Sequence, residues 1–153
     1  MVQAVNNYQM QIDRLREQAG YDFVSLAFEQ SAANGFVITW QYASGNLNNR
    51  YKRIVLQSGR GIAGIVFKTG KPMVVANVTE SLKQSELFQF PIIVSERLRS
   101  LAAIPLFQHD RVAGVLLAGY REENRMTKQA LDQLMQSLGG SFGSFETKEL
   151  SSN

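Results

Sequence analysis

Ser100 to Tyr120 reads SLAAIPLFQHDRVAGVLLAGY, two strongly apolar runs on either side of Gln108-His109-Asp110. Runs of this length around a short polar break predict an antiparallel hairpin, and their apolar character puts it at the centre of a sheet. Working outward, Met73–Ala76 after Pro72 reads as a further strand. Tyr21–Phe28 and Gly35–Tyr42 read as a second hairpin across Ser31-Ala32-Ala33-Asn34-Gly35, and Arg53–Leu56 reads as extended. Val5, Tyr8, Ile12 and Leu15 recur at helical spacing and predict a first helix over about residues 3–18, ending before Gly20. Leu131, Leu134, Leu138, Phe142 and Phe145 predict a last helix over about 127–148, bent at Gly139-Gly140. Between them, Ile62–Lys68 reads as a helix ended by Gly70, Ser81–Phe90 as an irregular or helical excursion, and Ile92–Leu98 as a short helix opened by Pro91. The order predicts an α+β fold: a central antiparallel sheet with the terminal helices on one face and a pocket of loops and short helices on the other.

At 153 residues, 44% hydrophobic and 19% charged, the chain has the size and composition of one globular domain spanning 1–153. Zero Cys excludes disulfides, thiol catalysis and thioether attachment of a cofactor. With His109 as the sole histidine, no metal site and no cofactor are expected. No signal-like leader and no long apolar run are present, which predicts a cytoplasmic protein without membrane contact. The net charge of +3 is unremarkable, yet Arg50, Lys52, Arg53, Arg60, Lys68 and Lys71 lie in a stretch, Ser44–Lys71, that contains no Asp or Glu. That stretch favours something anionic nearby, either an acidic partner or a small ion.

Gly59-Arg60-Gly61-Ile62-Ala63-Gly64, Lys68-Thr69-Gly70-Lys71-Pro72, Leu101–Leu106 and Val112-Ala113-Gly114-Val115-Leu116 resemble the GAF family over nearly the whole chain. More narrowly, Trp40-Gln41-Tyr42, the stretch Gly45–Leu56 and Phe90-Pro91-Ile92-Ile93 are similar to the stand-alone, NreA-type GAF nitrate receptors of Gram-positive bacteria. The resemblance implies a GAF fold and a receptor that binds nitrate. It also implies control of an oxygen-sensing histidine kinase in a two-component system for nitrate respiration. The GAF fold further implies that a homodimer or a docked kinase would use the terminal helices.

The residues themselves can be asked whether an anion fits. Gly61 to Gly64 open a helix whose first amides lack intrahelical acceptors and whose dipole favours negative charge. Pro91 opens another, leaving the amides of Ile92 and Ile93 free. Trp40 adds an indole N–H, which only donates. Trp40, Ile62, Ala63 and Ile92 are therefore the expected nitrate contacts, with Gly61, Gly64, Phe90, Pro91 and Ile93 lining the pocket. Neutral donors among apolar side chains suit a weakly hydrated monovalent ion better than phosphate or sulfate.

Taken alone, Gly59-x-Gly61-x-x-Gly64 is equally a plain loop running into a helix, and its dinucleotide reading lacks the parallel crossover that motif needs. Trp40 alone would be a core residue. The Arg50-Tyr51-Lys52-Arg53 cluster lacks a stacking platform beyond Tyr51, so no nucleic-acid partner is expected. Methionine sulfoxide reductases and bilin photoreceptors that share the GAF fold need thiols, and Glu80, Glu86 and Glu96 form no recognisable acid–nucleophile pair, so no catalytic residue and no enzyme is expected. The competing reading is a GAF module that binds another small ligand, such as a cyclic nucleotide reached by Arg60, without catalysis.

Overall fold

Two layers of buried side chains on opposite faces of one sheet organise the chain, which the computed structural model describes over residues 7–148. The elements in order are α1 (Tyr8–Ala19), β1 (Phe23–Ala32), β2 (Gly35–Ser44), a 3-10 turn (Arg50–Arg53), β3 (Val55–Leu56) and α2 (Gly61–Thr69). Then come β4 (Met73–Val75), α3 (Val78–Ser81), a second 3-10 segment (Gln84–Gln89) and α4 (Pro91–Glu96). The chain closes with β5 (Ser100–Gln108), β6 (Arg111–Tyr120), α5 (Lys128–Leu138), β7 (Ser141–Phe142) and β8 (Phe145–Glu146). All pairings are antiparallel, in the order β3-β2-β1-β6-β5-β8-β7, with β4 also paired to β5.

Side chains alternate across a strand, so parity decides which layer a residue joins. Leu101, Ala103, Val115 and Leu117 face the layer capped by α2 and α4, whereas Ala102, Ile104, Leu116 and Ala118 face the layer capped by α1 and α5. Both faces of the β5–β6 hairpin are thus covered, which is why its sequence is apolar at nearly every position. His109 and Asp110 form its turn with φ of 54° and 62°, and both are exposed.

One irregularity positions a residue of interest. The β1–β2 register runs Leu26↔Tyr42 and then Ala27↔Trp40, leaving Gln41 as the extra residue of a bulge. A bulge reverses the parity of the side chains beyond it. Trp40 and Ile38 therefore pack with α2 and α4, while Tyr42 packs with the α1–α5 layer.

The last helix is shorter than its apolar spacing predicts. Gly139 and Gly140 take φ of 64° and 95°, and the helix stops at Leu138 with Gly139 as its left-handed cap. Phe142 and Phe145 reach the same layer from the β7–β8 hairpin and not from a continued helix over 127–148. At the other end, α1 begins at Tyr8 under an Asn7 cap that accepts from the Met10 amide, so Tyr8, Ile12 and Leu15 lie on the expected face. Val5 and the stretch 3–6 lie outside the described residues. Two smaller differences concern the segment expected to be extended from Arg53, which is a 3-10 turn to Arg53 and a strand only at Val55–Leu56, and the helix after Pro91, which stops at Glu96.

Gly45 and Gly139 both have positive φ, 78° and 64°, but differ in the space around them. A Cβ at Gly45 would run into the Asp22 carbonyl, whereas at Gly139 it would meet nothing within 4 Å. Gly139→Ala should therefore lower unfolding free energy by about 1 kcal/mol, the conformational cost alone. Gly45→Ala should lower it by at least about 2 kcal/mol. Urea unfolding of the two variants checks this, and equal losses would contradict the packing argument.

Candidate anion-binding site

The layer beneath α2 and α4 gathers residues from three separate parts of the sequence. Trp40, Ile62, Ala63, Ile92 and Ile93 belong to one core cluster, each no more than 2% exposed, with Phe90 packed partly buried against it. α2 and α4 pack on each other, so the N-terminal parts of two helices and the bulge-placed indole share this layer. None of these residues carries a charge; the buried Glu96 lies at the other end of α4.

Besides the Tyr51 hydroxyl, the cluster's polar groups include several N–H donors. The Trp40 indole nitrogen is buried and has no hydrogen-bond partner. In α2, Gly61 takes φ of 67°, and a Cβ there would lie 2.8 Å from Leu56 Cδ2, so only glycine fits. A left-handed residue leading into helical ones turns three successive amides toward a common point, the anion-binding arrangement known as a nest. Among the described residues, no acceptor is used by the amides of Gly61, Ile62 or Ala63. The loop ahead of them is held by the Gly59 amide on the Gly64 carbonyl (2.7 Å) and the Arg60 amide on the Gln57 carbonyl (2.9 Å). Gly64 has a packing reason of its own, since a Cβ would collide with the Gln57 carbonyl.

At α4 the expectation holds for one amide and fails for the other. Ile92 has no acceptor among the described residues, but the Ile93 amide donates to the Phe90 carbonyl at 3.0 Å. The cause is the tight first turn after Phe90, which closes a three-residue bond where an open helix start would leave the group free. The Arg60 side chain is exposed on the loop and belongs to no part of this cluster.

A second buried group, which the sequence does not reveal, fixes the far end of α4. The Glu96 side chain is 0% exposed and pairs with Arg121 at 2.8 Å. Glu96 Oε1 also accepts from the Leu47 amide at 2.8 Å, and Asn48 donates to the Ser95 carbonyl at 2.9 Å. Arg121 donates in addition to the carbonyls of Glu96, Asp22 and Gly45. The loop after β2, which follows Trp40, is thus tied to the helix that carries Ile92. Burial pushes the Glu96 carboxyl above its ordinary range, against the opposing pull of the Leu47 amide and Arg121.

Three cavities border the described residues elsewhere: one between α1 and α5 of about 660 Å³, one beside α4 of about 420 Å³, and a shallow one around Arg99 and Arg121. None is lined by Trp40, Ile62, Ala63 or Ile92, and of the expected pocket residues Ile93 alone borders one, the groove beside α4. Among the described residues no group of three His, Cys, Asp or Glu is placed to hold a metal, and no helix is long and apolar enough to cross a membrane.

An antiparallel sheet with one helical layer on each side and a buried, donor-rich cluster beneath the short helices defines an α+β domain. Residues 9–144 match the family described as GAF domain, and the chain belongs to that family. No curated protein matches it. Among solved structures it is similar to a hypothetical protein from S. aureus, at 46% identity and a TM-score of 0.73, over 78% of this chain and 95% of that one. It is equally similar to an NreA protein from Staphylococcus aureus mutated in its nitrate binding site, at 46% identity and TM-score 0.73, over 78% of this chain and 86% of that one. A further structure of mutated NreA from that organism is 41% identical with TM-score 0.73, over 82% and 96% of the two chains.

The Glu96 carboxyl gives a pH test of the node. The folded chain holds this proton more tightly than the unfolded chain does, so the group's contribution to stability falls as pH rises from about 4.5, the ordinary value. Glu96→Gln removes that slope, and its stability relative to the parent should improve as pH rises from about 4.5 toward neutrality. Urea midpoints of both proteins across this range check it; a parallel pair of curves would mean that the carboxyl titrates alike in both states.

Proposed function

We propose that this GAF protein is a nitrate receptor, holding the ion among neutral N–H donors and leaving it chemically unchanged. The observation that carries the reading is the buried Trp40 indole N–H with no partner, sharing one cluster with Ile62, Ala63 and Ile92, whose amides, like that of the adjoining Gly61, have no acceptor among the described residues. A buried donor without an acceptor costs roughly 1–3 kcal/mol, and one planar ion with three oxygens can relieve several at once. The similarity to the mutated NreA of S. aureus supports the choice of ion. So does the uncharged character of Trp40, Ile62, Ala63 and Ile92, which disfavours doubly charged, strongly hydrated ions.

In this reading Trp40, Ile62, Ala63 and Ile92 contact the ion, Gly61 shapes the nest, and Phe90, Pro91 and Ile93 form the lid. The site is closed, so the ion enters when the segment around Phe90 moves. Four ligand atoms at about 1.5 kcal/mol each give a ceiling near −6 kcal/mol, a Kd on the order of tens of micromolar. No residue is assigned a catalytic role, and no cofactor besides the ion is invoked. The protein works in the cytoplasm, where occupancy is passed to an oxygen-sensing histidine kinase of a two-component system for nitrate respiration, and its terminal helices serve a homodimer or the docked kinase. A cyclic nucleotide needs a pocket of some hundreds of Å³, and Trp40, Ile62, Ala63 and Ile92 line none of these three cavities.

Because Trp40 is the sole tryptophan, its emission reports directly on the site. Nitrate should change that emission saturably, whereas sulfate, cyclic AMP and cyclic GMP should not. By calorimetry, Ile62→Val should alter the nitrate Kd by less than about threefold and Trp40→Phe should weaken it about tenfold, one hydrogen bond's worth. Ala63→Pro deletes a donor at a position where proline suits a helix start, and should abolish binding while the chain still folds. A folded Ala63→Pro variant that binds nitrate like the parent would overturn the backbone cradle.

A further inference from the structure

We propose that the groove beside α4 docks an acidic, apolar-anchored peptide segment of a partner protein, with Arg97 as its principal charged contact. The proposal rests on the receptor reading only for the expectation that a partner exists; the chemistry of the groove is independent of the ion.

Three observations converge here. The groove, about 420 Å³, has a floor of Leu82, Leu87, Ile93, Val94 and Leu98, and its only charged lining residues are Arg97 and Arg99. Apolar side chains are exposed at its edge, Val94 at 52%, and on the segment leading into α4, Phe88 at 78%. Scattered exposed apolar residues mean little, but two flanking an aliphatic groove suit an anchor side chain.

The third observation is conformational. Arg97 is the cap of α4 and takes φ of 53°, a left-handed geometry. Its amide donates to the Val94 carbonyl at 3.3 Å and the Leu98 amide to the Ile93 carbonyl at 3.0 Å, closing the helix as a glycine usually does. An arginine there is strained where glycine would be relaxed, and such strain persists where the side chain has a use. Inside the fold it has none: the side chain is exposed and pairs with no acid among the described residues. Arg99 by contrast is paired with Glu123 at 3.4 Å. The nearby carboxylates are engaged locally, Glu86 on the Lys83 amide and Glu80 with Asn77.

A basic segment outside the groove also touches α4. Asn48 donates to the Ser95 carbonyl and accepts from the Arg50 amide, bringing the Arg50–Arg53 turn alongside the helix. Arg50, Lys52 and Arg53 also lack acidic partners among the described residues. An aliphatic floor under unpaired arginine matches a peptide that alternates leucine-like anchors with carboxylates. No aromatic side chain lines the groove itself to stack bases, which sets a protein segment above a nucleic acid.

Fluorescence anisotropy with a labelled peptide of about 14 residues, two leucines three apart among Asp and Glu, tests this directly. A control peptide replaces the leucines by serine, and a duplex of about 20 base pairs represents nucleic acid. The leucine peptide should bind saturably and the serine peptide about tenfold more weakly. Arg97→Gly should melt at or above the parent's temperature yet bind the leucine peptide about fivefold more weakly, and Arg97→Glu more weakly still. Equal binding of both peptides, tighter binding of the duplex, no saturable binding, or an unaffected Arg97→Gly variant would each overturn the proposal. Nitrate calorimetry on the same proteins separates the two readings, because failure of nitrate to bind the parent would count against the receptor and leave the peptide result intact.

Discussion

A buried N–H must find an acceptor or the fold loses stability, and this chain gathers several such donors without one. The Trp40 indole and the amides of Ile62, Ala63 and Ile92 sit in a largely hydrocarbon cluster, with buried Gly61 next to Ile62 in the chain. Each element of the site contributes to that condition. The bulge at Gln41 sends Trp40 to this face, the left-handed Gly61 turns the first amides of α2 inward, and Pro91 opens α4 without a donor of its own. The low-dielectric surroundings raise both the cost of leaving the donors unpaired and the worth of pairing them.

The short helix α4 joins this cluster to the surface. Its first turn carries Ile92 into the core, its last turn holds buried Glu96 against Arg121, and its left-handed cap presents Arg97 to solvent. The Leu47 and Asn48 contacts tie the loop after β2 to this six-residue helix. An ion at one end would therefore bias the face at the other, by no more than its differential affinity for the two arrangements.

The sheet was legible because a hairpin covered on both faces leaves an unmistakable apolar signature, and Ser100–Tyr120 has it. The last helix was overread for the same kind of reason. Phe142 and Phe145 keep the helical spacing of Leu131, Leu134 and Leu138, and only the backbone of Gly139-Gly140 decides that they reach the core from a hairpin. Within the site, the glycine loop and Pro91 carry local signals that spacing can convey. The Ile93 bond to Phe90 depends on how tightly one turn closes, which composition does not encode. The bulge that aims Trp40 depends on register with another strand, and the Glu96–Arg121 pair joins residues 25 apart in sequence. No pattern along the chain marks either of them.

The most direct test follows the donors themselves. In a nitrogen-15 nuclear magnetic resonance titration with nitrate, the amides of Gly61, Ile62, Ala63 and Ile92 and the Trp40 indole should shift together, along one binding curve, while the Ile93 amide stays on its internal acceptor. Shifts confined to the exposed cations of Arg50–Arg53, with the buried donors unmoved, would contradict an enclosed ion held by neutral N–H groups.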